Sequence, residues 1–176
     1  MTALVAALVL MPSTSPERPA APAATVLRTA QTKAKREGKN VLVLFKASWC
    51  RWCHRFDDLL ADPALRPAWQ RSYVVARINI RERGEQKKLE NIGWEEVLKT
   101  IRGRADLDVP DMAVLDPQGT KLADSLRVGE GPIPANAGYP TRPEEIAAFV
   151  GSVGRTGRFS AEEMDLLKSR FAPPKG

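Results

Sequence analysis

The sequence predicts an α/β domain in which a central sheet is flanked by helices. Short apolar runs rich in β-branched residues, foremost Val41-Leu42-Val43-Leu44-Phe45, read as buried strands, and they alternate with segments that carry helix-start signals. The chain has 176 residues, 43% of them apolar and 27% charged, which is enough to bury a core without covalent staples. Cys50 and Cys53, the only two cysteines, are therefore free for chemistry.

Taken in order, the chain opens with an apolar stretch from Ala3 to Met11, then a Pro/Ala/Ser-rich segment through Ala24 that contains the small-residue cleavage pattern Ala21-Pro22-Ala23. Residues 1–24 read as an export signal or as a disordered N-terminal segment, although Met1-Thr2 supplies no positive charge. Export makes the protein periplasmic or secreted; a disordered tail would leave it cytoplasmic, where a Cys-x-x-Cys is more naturally a reductase. Nine apolar residues are too few to span a bilayer. Residues 25–176 then form one domain with a C-terminal helical extension. A helix is expected near 25–37, a strand at 40–45, a helix from Cys53 to about Leu60, a helical piece opened by Asp62-Pro63, and a strand at 73–80. The charged stretch 81–108 holds one helix (94–101) and is either a solvated insertion or a partner-binding element. After the strand 112–115, Asp116-Pro117-Gln118-Gly119 signals a turn into a second hairpin strand at 120–126. A Gly/Pro-rich loop, 129–140, follows. Thr141 is expected to cap the next helix, and Ser160-Ala161-Glu162-Glu163 a last one ending near Phe171.

The segment Trp49-Cys50-Arg51-Trp52-Cys53-His54 lies where the first strand hands over to a helix. Free N–H groups and the positive end of the helix dipole favour an anion there, so Cys50 should have a lowered pKa, with Cys53 one turn further in and able to reach it. That arrangement suits thiol-disulfide exchange: Cys50 attacks, Cys53 resolves. Arg51 adds positive charge beside the sulfur. Trp49 and Trp52 can shield the site and offer a substrate an apolar surface, or either can be plain packing. His54 is a titratable neighbour that tunes the cysteines, or simply a polar residue on the helix surface.

With Trp49-Cys50-x-x-Cys53 after a strand, Val75 to Ile80 as the next strand, and Val109-Pro110 before Met112-Ala113-Val114-Leu115, the chain resembles the thioredoxin family over about residues 24–151. Asp62-Pro63-Ala64-Leu65 resembles its exported branch. The resemblance implies a thioredoxin-like fold with a mixed central sheet, a cis Val109-Pro110 bond beside the cysteines, and a Val109 backbone that pairs with an extended substrate. It also implies protein or peptide disulfide and dithiol substrates, a redox partner, a part in cell redox homeostasis, and no cofactor beyond the cysteines; a monomer is expected. Three departures stand out. Leu44, six residues before Cys50, replaces the family's buried aspartate, so its proton relay is missing. Arg77 stands in for a lysine, and is expected either near the thiolate or reaching to solvent. Arg51-Trp52 replaces the usual Gly-Pro, so no redox potential carries over. Lys46 could act on Cys50 or be an exposed strand-end lysine, and Asp111 could select basic substrates or cap a turn.

Cys50-x-x-Cys53-His54 is also the attachment signature for c-type haem, with His54 as one ligand and Met112 or Met164 as the other. Flanking strands argue against it. Two cysteines and one histidine fall short of a structural zinc site, so no metal is expected. The net charge of +6 is spread along the chain without basic runs interleaved with aromatics, which argues against nucleic acid. A binding or assembly module with little turnover is the rival to an enzyme, favoured by the loss of the buried acid.

Overall fold

A computed structural model describes residues 19–106, 108–127 and 135–171. The export or disorder expectation for 1–24 therefore lies mostly outside the described residues, as does part of the loop 129–140. The element order is α1 (Ala23–Glu37), β1 (Asn40–Lys46), α2 (Arg51–Ala61), α3 (Arg66–Ser72), β2 (Tyr73–Asn79), α4 (Trp94–Arg102), β3 (Asp111–Leu115), β4 (Lys121–Asp124), β5 (Leu126–Arg127), β6 (Ala135–Asn136), α5 (Pro143–Thr156) and α6 (Ala161–Ser169). Four strands form a mixed sheet in the order β2-β1-β3-β4. β1 and β2 are parallel, and the β1/β3 and β3/β4 pairs are antiparallel.

β1 is apolar from Val41 to Phe45 because the central strand is covered on both faces. Val41, Val43 and Phe45 pack with Ala76, Ile78, Ala113 and Leu115 beneath α1 and α4. Leu42 and Leu44 point the other way, with Met112 and Val114, toward Phe56, Leu59 and Leu60 of α2 and Phe149 of α5. The alternation follows from the two-residue period of a strand.

Several elements depart from the expected bounds, for local reasons. α1 starts at Ala23, whose N–H bonds to the Ile92 carbonyl at 2.9 Å, while the Asn91 amide donates to the Ala21 carbonyl at 2.7 Å. Asp62 closes a turn, its carbonyl accepting from Leu65 and Arg66, and α3 begins only at Arg66. The charged stretch is not a solvated insertion: after a 3-10 segment (Gly84–Leu89), α4 buries Trp94, Val97, Leu98 and Ile101 against the α1 side of the core. Thr141 is not a cap. Pro143 fills the first helical position, where a missing N–H costs nothing, so Arg142 becomes the N-cap. Glu145 reaches back to accept from the Arg142 and Thr141 N–H groups at 3.2 and 3.1 Å. The expected strand 120–126 is interrupted at Ser125, after which β5 leaves the sheet to pair with β6. The α6 cap is as expected: Ser160 Oγ accepts the Glu163 N–H at 3.2 Å, and the Glu163 carboxylate accepts the Ser160 N–H at 2.8 Å.

Candidate active site

β1 runs out at Lys46, and four residues later Cys50 becomes the N-cap of α2. Its extended backbone (φ −85°, ψ 104°) turns the sulfur back over the helix end, where Sγ accepts the Cys53 N–H at 3.1 Å. This is the N-cap geometry that Ser or Asp usually supplies, here supplied by a sulfur. Cys50 and Cys53 are joined as a disulfide, with Cα atoms 5.2 Å apart. Cys50 keeps 4% of its surface exposed, Cys53 none.

The loop before Cys50 is anchored by residues that nothing local in the sequence marks. Glu82, itself buried, accepts the Ser48 N–H at 2.8 Å and the Ser48 hydroxyl at 2.6 Å. The Trp49 indole donates to the Arg81 carbonyl at 2.8 Å, and the Arg83 guanidinium lies over the Trp49 ring at 3.8 Å from its centroid. Arg81 adopts a left-handed backbone (φ 53°), and its guanidinium turns away to donate to the Ala105 carbonyl at 3.0 Å and to pair with Asp108 at 3.5 Å. His54 is exposed, with Nε2 2.8 Å from the Ser48 carbonyl, so it braces the same loop.

Opposite that loop, the Val109-Pro110 peptide bond is cis, and Val109 packs against Ala47, Cys50 and Cys53. Asn136 holds this turn by donating to the Asp108 and Pro110 carbonyls at 2.8 and 2.9 Å, and its own carbonyl accepts from Gly138 N–H at 3.1 Å. Gly138 has φ 62°, a left-handed conformation that suits glycine. Trp52 stacks on Tyr139 at 5.6 Å, and Tyr139 in turn contacts Phe56 and Phe171. Trp52 is thus both packed on one face and 46% exposed, with Arg51 5.8 Å from its ring centroid.

Two charged positions resolve differently from the sequence expectation. Asp111 selects nothing at the surface: it is 1% exposed, accepting from Arg102 and from the Ser125 hydroxyl, both at 2.8 Å. Burial pushes its carboxyl pKa up against the opposing pull of Arg102. Lys46 and Arg77 meet on one carboxylate, Asp57 of α2, with the Arg77 bond at 2.9 Å. Partial burial works to raise the Asp57 pKa, but the hydrogen bonds from Lys46 and Arg77 outweigh it and hold the carboxyl below its ordinary value. Leu44, directly opposite Arg77 in the parallel register, is fully buried.

Met112 is in the sheet core and Met164 on α6, and neither is brought to His54 in any contact of the described residues. No group of three or more His, Cys, Asp or Glu among the described residues could hold a metal ion. No helix among them is long and apolar enough to cross a membrane.

The sequence profile of a family described as thioredoxin-like matches residues 24–117, more than half of the chain. The chain belongs to the thioredoxin-like family. Among solved structures, it is similar to a disulphide isomerase from Xylella fastidiosa Temecula1, at 20% identity and a TM-score of 0.50, over 64% of this chain and 79% of that one. It is also similar to the C-terminal domain of DsbD from Neisseria meningitidis in the oxidised form, at 20% identity over 61% and 84% of the two chains, with a TM-score of 0.43. A DsbH oxidoreductase aligns over 88% of this chain and 94% of its own at 16% identity, with a TM-score of 0.40. At such identities the likeness bears on fold alone, and the mixed sheet with its flanking helices is the thioredoxin-like one. No curated protein sequence matches. With a Cys-x-x-Cys pair that closes at the head of α2, this thioredoxin-like protein carries the machinery of a thiol-disulfide oxidoreductase.

Proposed function

We propose that the protein exchanges disulfides with protein or peptide substrates, with Cys50 as nucleophile and Cys53 as resolving thiol. In the reduced protein the Cys50 thiolate attacks one sulfur of a substrate disulfide, forming a mixed disulfide and releasing the other substrate sulfur as a thiolate that takes up a proton. The Cys53 thiol loses its proton and its sulfur attacks Cys50 Sγ, which releases the reduced substrate and leaves the closed pair. A dithiol partner restores the reduced form by the same two steps; run in the opposite sense, the closed pair oxidises a substrate dithiol.

The observation that carries this reading is the Cys53 N–H donated to Cys50 Sγ at the helix N-terminus, on the sulfur that retains exposure. A thiolate there keeps that donor and gains from the dipole, which lowers its pKa. Val109 supports the assignment of the substrate strand: among the described residues its backbone makes no hydrogen bond, while the carbonyls on either side are taken by Asn136. An extended peptide could pair there as an added edge. The apolar N-terminal stretch and the small-residue pattern before α1 support an exported protein, periplasmic or secreted.

Reduction of insulin by dithiothreitol tests the reading. The wild-type protein should accelerate it, and Cys50→Ser and Cys53→Ser should not. Cys53→Ser should instead accumulate mixed disulfides through Cys50. No acceleration by the wild type would leave a binding or assembly module.

A further inference from the structure

We propose that the surface around the disulfide selects substrate cystines flanked by acidic side chains, an inference that rests on the oxidoreductase reading and names its substrate class. Trp49 and Trp52 bracket Cys50 in the chain and are 43% and 46% exposed, so the approach to the sulfur is rimmed by two indole faces. Each carries a guanidinium: Arg83 on Trp49 at 3.8 Å and Arg51 by Trp52 at 5.8 Å. A guanidinium lying on a ring still offers its N–H edge, and its position is already restricted, so less freedom is lost when it forks onto a carboxylate.

Both arginines are exposed, and among the described residues neither has an acidic partner. The other charges near the site are spoken for. Asp108 pairs with Arg81, Asp111 is buried on Arg102, and Glu82 is buried away from the rim with both oxygens accepting from Ser48. Among the described residues the uncompensated charge at the exposed rim is thus positive, opposite in sign to a surface that Asp111 would have set. Its supports are rigid, because the Trp49 indole is bonded to the Arg81 carbonyl and Trp52 is stacked on Tyr139. The ligand that fits two apolar faces edged by unpaired guanidinium groups beside a disulfide is a polypeptide presenting a cystine between Glu or Asp residues.

The test uses pre-reduced protein in single turnover against three matched peptide disulfides whose cystine is flanked by Glu, Gln or Lys. One protein dithiol is oxidised for each peptide disulfide reduced, so no recycling reagent is present. At low salt the Glu peptide should react about fivefold faster than the Lys peptide, the scale of one or two exposed ion pairs. The ratio should fall toward one as ionic strength rises. In Arg51→Gln/Arg83→Gln the ratio should collapse; because it compares two peptides on the same protein, any change in thiol reactivity cancels. Lys33→Gln/Lys35→Gln removes the same two charges from exposed positions on α1, on the other side of the sheet, and should keep the ratio. Equal rates for all three peptides on the wild type, or an equal loss of the ratio in the α1 variant, would overturn the inference while leaving the oxidoreductase reading intact. Failure to reduce any of the three would overturn that reading, and this inference with it.

Discussion

Cys50 and Cys53 are chemically identical and positionally unequal. One caps a helix with 4% of its surface exposed, and the other is enclosed one turn in. In the reduced protein iodoacetamide should therefore label Cys50 first at neutral pH, as read by peptide mapping; equal labelling, or Cys53 first, would reverse the roles. Arg51 is proposed to add to the helix N-terminus without replacing it. A full charge a few Å from a partly exposed sulfur is worth on the order of 1 kcal/mol, somewhat under one pKa unit, and the solvent around this exposed guanidinium trims that further. Arg51→Ala should raise the Cys50 pKa by no more than that, followed through thiolate absorbance near 240 nm. Losing thiolate stabilisation weakens the reduced state, so the same variant should be more reducing, by roughly 20 mV for a two-electron couple. If pKa and potential both stay put, the helix N-terminus alone sets the thiolate.

At the scale of elements, what could be read from the sequence was what local pattern controls. The buried strands announced themselves by β-branched runs, the cysteines by their place at a strand-to-helix junction, and α6 by its Ser160/Glu163 box. α4 was legible as a helix but not as a core element, since only one of its faces is apolar and the charges on the other dominate the composition of 81–108. The supports of the active-site loops had no local signal at all: Glu82 serves Ser48 from 34 residues away, and Asn136 serves Pro110 from 26. Asp111 misled for a related reason, because whether a carboxylate next to a turn faces solvent or an arginine depends on Arg102, nine residues earlier on α4. Glu82→Ala should strip the Ser48 N–H and hydroxyl of their acceptor and cost about 1–3 kcal/mol. Glu82→Gln retains an acceptor and should recover part of it. Urea unfolding gives the cost, and amide exchange at Ser48 tells whether the loop itself has loosened; unchanged protection in Glu82→Ala would mean the loop is held by Trp49 and His54 instead.

Across the whole molecule, the α2 side of the sheet is tied by charge as well as by packing. Asp57 accepts from Lys46 of β1 and Arg77 of β2, so one carboxylate fastens the cysteine-bearing helix to both parallel strands. Glu145 and Asp62 are likewise held below their ordinary pKa values against some burial, Glu145 by the Thr141 and Arg142 N–H groups and Asp62 by Arg170. A carboxylate whose pKa is depressed on folding contributes stability above its unfolded value and loses it as pH falls through the folded one. Stability should therefore be nearly level from neutral pH down to about 5 and decline below about 4, where unfolded Asp and Glu begin to bind protons that the folded groups still refuse. Asp111 works in the opposite sense, since its raised pKa means that protonation relieves a burial penalty, and it makes the decline shallower. Asp57→Asn isolates one contribution. At pH 7 it should cost about 1–2 kcal/mol, between an exposed ion pair and a buried one, because Lys46 is left mostly covered and unpaired. At an acid pH below the lowered folded pKa of Asp57, where the wild-type carboxyl has given up its own charge, the same substitution should cost less. Urea unfolding of both proteins at the two pH values measures the difference, and an equal cost at both would show that Asp57 holds α2 by its shape and hydrogen bonds rather than by its charge.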